Sequence, residues 1–93
     1  LVTPGTPLVA QAIGQEMIAI RNVEQTVFAS ILRNTEPFDL TGIPALVVPS
    51  GFSKDGMPFS LQIAGRPFDE AGILNVGHAY QQATDWHTRR PAP

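Results

Sequence analysis

The chain has 93 residues, 43% of them hydrophobic, no cysteine, and six basic against eight acidic side chains for a formal net charge of −2. That is enough for one modest core and too apolar for wholesale disorder. The balance of charge supplies no basic stripe for nucleic acid or an anionic membrane, and no apolar run approaches the roughly 20 residues of a membrane span. The missing cysteines exclude disulfides and thiolate zinc sites and fit a cytoplasmic home.

Leu1-Val2-Thr3 reads as the end of a buried strand. Thr3-Pro4-Gly5-Thr6-Pro7 then forces an extended, sharply turning loop, because each proline fixes its own φ and pushes its predecessor out of the helical region. Gly5 is expected to take a backbone conformation closed to other residues. Leu8–Gln15 reads as irregular. From Glu16 to Arg33, apolar residues at Ile20, Val23, Val27, Phe28, Ile31 and Leu32 predict an amphipathic helix, firmest over Val23–Leu32. Asn22 would cap it, with Gln25 as capping-box partner, and Pro37 would end it. Phe38-Asp39-Leu40-Thr41-Gly42 would lead into the first central strand.

The stretch Asp39–Phe68 organises the chain. Ala45–Pro49 is short, rich in β-branched residues and bracketed by Pro44 and Pro49, which predicts a buried strand. Phe59-Ser60-Leu61-Gln62-Ile63 alternates apolar and polar, the pattern of a strand with one face covered. Asp55-Gly56 marks the turn between them. Arg66-Pro67 closes the second strand. Asp69 is a good N-cap for a last helix, with Phe68 stapling onto Ile73 and a face of Ile73, Val76, Gly77, Tyr80 and Ala83. Gly72 and Gly77 predict a close approach of that helix to the sheet, and Arg89 and Arg90 suit its C-terminal end. A short strand, a helix, two adjacent strands and a C-terminal helix make an α/β piece. Leu1 falls inside a strand, and these helices would cover one sheet face at most, so a portion of a larger α/β protein is expected.

No self-sufficient active site emerges from the residues. Ser30, Ser50, Ser53 and Ser60 lie outside any Gly-x-Ser-x-Gly elbow. Ser50 at a strand end is the most suggestive of them, but neither His nor Lys stands near it, and a small residue at a packed turn explains it better. His78 and His87 are nine apart, which rules out metal binding at i, i+4. Lys54, the lone lysine, belongs to a solvated turn rather than to a buried basic site. Asp39, Asp55, Asp69 and Asp85 lack metal-loop spacing, and Gly51, Gly56 and Gly65 form no phosphate cradle. No cofactor is implied. Phe52, Phe59, Phe68, Tyr80 and Trp86 read as core rather than as a binding stripe.

The order of motifs carries more. Leu1-Val2-Thr3-Pro4-Gly5-Thr6-Pro7 is followed by Phe38-Asp39-Leu40-Thr41-Gly42-Ile43-Pro44-Ala45-Leu46, by Val48-Pro49-Ser50-Gly51-Phe52 and Gly56-Met57-Pro58, and by Leu61-Gln62-Ile63-Ala64-Gly65-Arg66-Pro67-Phe68-Asp69-Glu70. This series resembles the C-terminal end of the amidase signature family. The resemblance covers nearly the whole chain, with Gln11–Arg33 nonspecific. It implies the α/β/α fold of that family with its mixed central sheet, and residues 1–93 as the incomplete C-terminal portion of a single amidase domain.

The resemblance also implies amide hydrolysis through an acyl-enzyme, by a Ser–cis-Ser–Lys triad in the family's earlier sequence. None of the serines here, nor Lys54, matches that motif, so no catalytic residue is assigned. This portion would supply strands, a covering helix and part of the pocket wall, with Pro4, Gly5, Thr6, Leu40, Thr41, Gly42 and Ile43 as substrate-facing loop residues. The partners implied are a small-molecule amide, the remainder of the amidase chain and, for the full-length enzyme, a second copy in a homodimer. In the family's glutamine-dependent amidotransferase A subunits an acidic residue shortly before the Asn-Leu-x-Gly-x-Pro motif helps bind glutamine. Counting back from Asp39, Leu32 holds that place, which argues for a less polar amide. Three rivals stand beside that reading: a fragment of a glutamine-dependent amidotransferase A subunit, an interaction module binding through a sheet edge, and a different α/β hydrolase using Ser50.

Overall fold

A computed structural model describes residues 1–92. Its centre is the pair β4 (Ala45–Phe52) and β5 (Pro58–Ala64), antiparallel, with Leu46 opposite Ile63 and Val48 opposite Leu61. The turn between them is as expected: Gly56 has φ +80°, and the Ser53 N–H donates to the Met57 carbonyl at 2.8 Å. β4 runs three residues past the predicted Pro49, with a bulge between Pro49 and Gly51. It is half-covered rather than buried: Val48 faces the core, whereas its neighbour Val47 stays exposed. β1 (Val2–Pro4) pairs antiparallel with the other side of β5, giving the order β1-β5-β4. β1 is therefore an exposed edge strand and not a buried one.

The largest departure lies between Met17 and Thr26. In place of a helix the chain forms a hairpin, β2 (Met17–Ile20) against β3 (Val23–Thr26). Arg21 and Asn22 between them have φ +51° and +65°. Two successive left-handed residues make the tight turn that matches strand twist, and neither conformation fits a right-handed helix. Asn22 is thus a turn residue and not a cap. The helix is only α1 (Val27–Leu32), capped by Thr26, whose Oγ1 accepts from the Ala29 N–H at 3.3 Å. The Gln25 side chain accepts from Arg33 instead of closing a capping box.

Pro37 does not stop a helix. It lies in the first turn of α2 (Glu36–Thr41), where a missing N–H leaves no bond unmade. Gly42, φ +72°, ends that helix, and its N–H donates to the Phe38 carbonyl at 3.0 Å. The segment that leads into β4 is therefore helical.

α3 (Glu70–Ala83) is capped by Asp69, which accepts from the Gly72 N–H at 3.2 Å. Phe68 makes no staple: its φ is +62° and it is 93% exposed. The buried stripe of α3 is narrower than predicted, with Ile73 and Gly77 buried, Tyr80 half-buried, and Val76 and Ala83 exposed. A Cβ on Gly77 would collide with the Leu46 side chain, so the close helix–sheet approach is real there. A Cβ on Gly72 would instead meet the Asp69 carboxylate, so that glycine makes room for the cap. Arg89 and Arg90 lie beyond the helix, after a 3-10 turn at Trp86–Thr88. Arg89 pairs with Asp85 at 3.1 Å and stacks over Trp86 at 5.0 Å.

The core is small. Val48, Ile63 and Ile73 form it, with Leu46, Leu61 and Tyr80 packed around them. Of the aromatics expected there only Tyr80 joins. Phe52, Phe59 and Phe68 are exposed, and Phe52 meets Trp86 edge-on at 6.1 Å. The radius of gyration is 14.7 Å, against about 12 Å for a compact domain of this length. The accessible surface is 6869 Å², against about 5,200 Å² for a compact monomer of this mass.

Candidate substrate-facing sheet surface

The pleat divides the sheet cleanly. Leu46, Val48, Leu61 and Ile63 meet α3, while Val47, Pro49, Ser60 and Gln62 point to the opposite face. One of the loops that the family motifs single out, Pro4–Thr6, lies on that second face. The Gly5 N–H donates to the Ser60 carbonyl at 3.0 Å. A Cβ on Gly5 would strike the Ser60 hydroxyl, so what demands glycine here is space rather than a left-handed backbone. Thr6, Leu8, Ile31, Val47, Pro49 and Phe59 border an open, mostly apolar cleft of about 510 Å³. Ile43 borders a smaller hollow of about 230 Å³ with Phe38, Val47 and Gln62. The two depressions meet at Val47. The Pro4–Thr6 loop thus lies over this face, whereas Ile43 stands at the sheet's end, bordering both this smaller hollow and one of about 760 Å³ shared with Ile63, Ile73 and Val76 on the α3 side. Leu40 is 79% exposed, Thr41 closes α2 by donating from Oγ1 to the Pro37 carbonyl at 2.8 Å, and Gly42 is exposed at the helix end.

Two side chains that matter here were not singled out by sequence reasoning. Gln62 reads as a solvent-side position in an alternating strand, yet it is 2% exposed and hydrogen-bonded by its amide to Thr3 and Asn34. Asn34 reads as the end of a helix, yet its side chain donates to the Pro4 carbonyl at 3.1 Å. The one available signal was the amide itself: glutamine carries no charge, and its NH₂ end offers two donors that burial can satisfy, as they are here.

The Ser50 hydroxyl donates to the Phe59 carbonyl at 3.5 Å, and Lys54 stands exposed in the β4–β5 turn. Among the described residues no three His, Asp or Glu side chains gather as metal ligands, and no helix is long and apolar enough to cross a membrane.

Known proteins match this arrangement closely. The Amidase family model matches residues 1–74. The A subunit of glutamyl-tRNA(Gln) amidotransferase from Chloroflexus aggregans is 55% identical over 91 residues, covering 98% of this chain and 17% of the relative. The corresponding protein of Thermodesulfovibrio yellowstonii is 44% identical, with 98% and 18% covered. Among solved structures, an amidase crystal structure superposes with a TM-score of 0.83 at 27% identity, over 88% of this chain and 19% of the other. A second, from a vestigial protein complex bearing on the origins of an s-triazine catabolic enzyme, gives 0.89 at 27% identity, over 96% and 20%. The chain thus spans about a fifth or less of the length of the proteins it matches. With the motif order, the mixed α/β arrangement and the family model in agreement over most of its length, this chain belongs to the amidase family.

Proposed function

We propose that residues 1–93 are the C-terminal portion of a single amidase domain, and that the full-length protein cleaves the side-chain amide of glutamine as the A component of an amidotransferase. The carrying observation is the 55% identity that this chain shares, over 98% of its length, with a protein of that kind; the match to the amidase crystal structure is 27%. In this reading the nucleophilic serine, its bridging serine and the lysine lie in the earlier sequence. The serine hydroxyl adds to the amide carbon, its proton passing through the bridging serine to lysine. Backbone N–H groups near the nucleophile stabilise the oxyanion. The C–N bond then breaks, ammonia leaves with a proton, and water releases the acyl group.

The chain's own contribution is a wall. Pro4, Gly5, Thr6, Leu40, Thr41, Gly42 and Ile43 border the substrate, and β4, β5 and α3 hold those loops in place. The partners are the amide, the remainder of the amidase chain and, within an amidotransferase, its other members. A homodimer of the full-length enzyme is the arrangement that a free-standing hydrolase would use.

One residue favours a second reading, hydrolysis of a less polar amide. Leu32, the last residue of α1, stands where the amidotransferase A subunits carry their glutamine-binding acid, and it offers no charge to an α-amino group. Ammonia release by the full-length gene product separates the two. Turnover of glutamine above that of aliphatic and aryl amides is expected. Turnover of aliphatic or aryl amides with glutamine inert would establish the hydrolase instead, and inertness toward all three sinks both.

A further inference from the structure

The surface opposite α3 carries a closed ring of hydrogen bonds. Gln62 Nε2 donates to Thr3 Oγ1 at 3.0 Å and to the Asn34 carbonyl at 2.8 Å. Thr3 Oγ1 in turn donates to the Pro4 carbonyl at 3.1 Å. The Asn34 side-chain amide donates to that same Pro4 carbonyl at 3.1 Å. The direction of the ring is fixed by chemistry. A backbone carbonyl only accepts, so the Gln62 group facing Asn34 must be the NH₂ end, and both its protons are then spent on the ring. Thr3 accepts from Gln62 and is free to donate onward.

The ring joins three separate parts of the chain. Thr3 and Pro4 belong to β1, Gln62 to the middle of β5, and Asn34 to the connection between α1 and α2. Pro4 is the first residue of the Pro4–Thr6 loop. One residue further on, the Gly5 N–H bonds the Ser60 carbonyl. Two residues after Asn34, α2 begins, and it ends at the Thr41-Gly42 turn before Ile43. Gln62 therefore fixes the start of one proposed wall loop and the origin of the helix that delivers the other.

We infer that Gln62, through Thr3 and Asn34, is a positioning residue that sets the distance between the two loops of the substrate wall. Its effect passes through the Pro4 carbonyl and the Asn34 backbone, and it rests on the assignment of those loops to the wall. A hydrogen-bonded ring anchored on a buried side chain has two properties that suit this task. It is stiff, since each bond polarises the next, and it is intolerant of partial loss, since a broken ring leaves desolvated groups unpaired.

The test uses the full-length enzyme with glutamine as substrate. Thr3→Val keeps the shape and strand preference of threonine and removes the hydroxyl. Thr3→Ser keeps the hydroxyl. With both ring bonds of the hydroxyl lost, Thr3→Val is expected to raise KM about tenfold with kcat within about twofold, and to speed hydrogen exchange at the Gly5 N–H by a similar factor. Thr3→Ser stays near wild type in both. Equal behaviour of the two variants, or a fall in kcat and melting temperature with KM unmoved, overturns the proposal. Should Thr3→Val not fold, Asn34→Ala cuts the ring from the other side, with the same outcomes. If wild-type enzyme turns over no glutamine, the proposed function fails, and Gly5 exchange alone then decides the ring.

Discussion

The two faces of the β1-β5-β4 sheet are built on different principles. The face under α3 is held by shape: Val48, Ile63 and Ile73 interlock, and Gly77 lets the helix come down onto Leu46. The opposite face is held by direction: Gln62, Thr3 and Asn34 aim their donors at particular carbonyls, and the space around them is left open as two hollows. Apolar contact is strong but non-directional and tolerates small slips. Hydrogen bonds add less net energy but fix distances. The first suits a face that keeps the fold together, and the second suits the ligand-facing role proposed for the other.

The sharpest challenge to that contrast is to take the segment alone. With Val2, Val47, Phe59 and Leu74 exposed and a core this small, residues 1–93 in isolation are expected to associate or expand, to bind a hydrophobic dye and to hydrolyse no amide. Scattering and an ammonia assay check this; a monodisperse compact monomer, or turnover lost on a serine-to-alanine change, contradicts it. Next comes Ile73→Ala in the full-length enzyme. Loss of a buried branched side chain costs about 3 kcal/mol, so the melting temperature falls while KM of the surviving enzyme stays put. A rise in KM matching that of Thr3→Val would erase the distinction between the faces.

Gly5→Ala is a smaller perturbation on the loop side. The new methyl meets the Ser60 hydroxyl, an overpacking cost of about 1–2 kcal/mol. Ser60→Ala removes that oxygen and is expected to restore part of the loss, a coupling that a double-mutant cycle in KM and melting temperature reads directly. Strict additivity would mean that the two do not touch. The mildest change is Asp69→Ala. It removes the cap on Gly72 N–H, costs about 1 kcal/mol, and is expected to lower stability without touching kinetics.

Much of the frame was legible beforehand, because its signals are local. Gly56 in the turn, the alternation of Phe59–Ile63 and the carboxylate of Asp69 each act on neighbours within a few residues. The motif order likewise pointed to the family before any geometry. The segment from Met17 to Thr26 departs from the helical expectation for a definite reason. Its apolar spacing satisfies a helix and a hairpin alike, and the choice falls to Arg21 and Asn22 both taking left-handed backbone, a conformation that Asn favours but that Arg does not advertise.

What the amino-acid sequence determined by itself, then, was the pair β4–β5, the capped helix α3 and the membership in a family, since turn chemistry, strand alternation and capping depend on short-range forces. Only the tertiary structure decided that Gln62 is an interior residue. A polar side chain on an alternating strand looks solvated until a second layer covers it, and that layer comes from Thr3 and Asn34, 59 and 28 residues away along the chain.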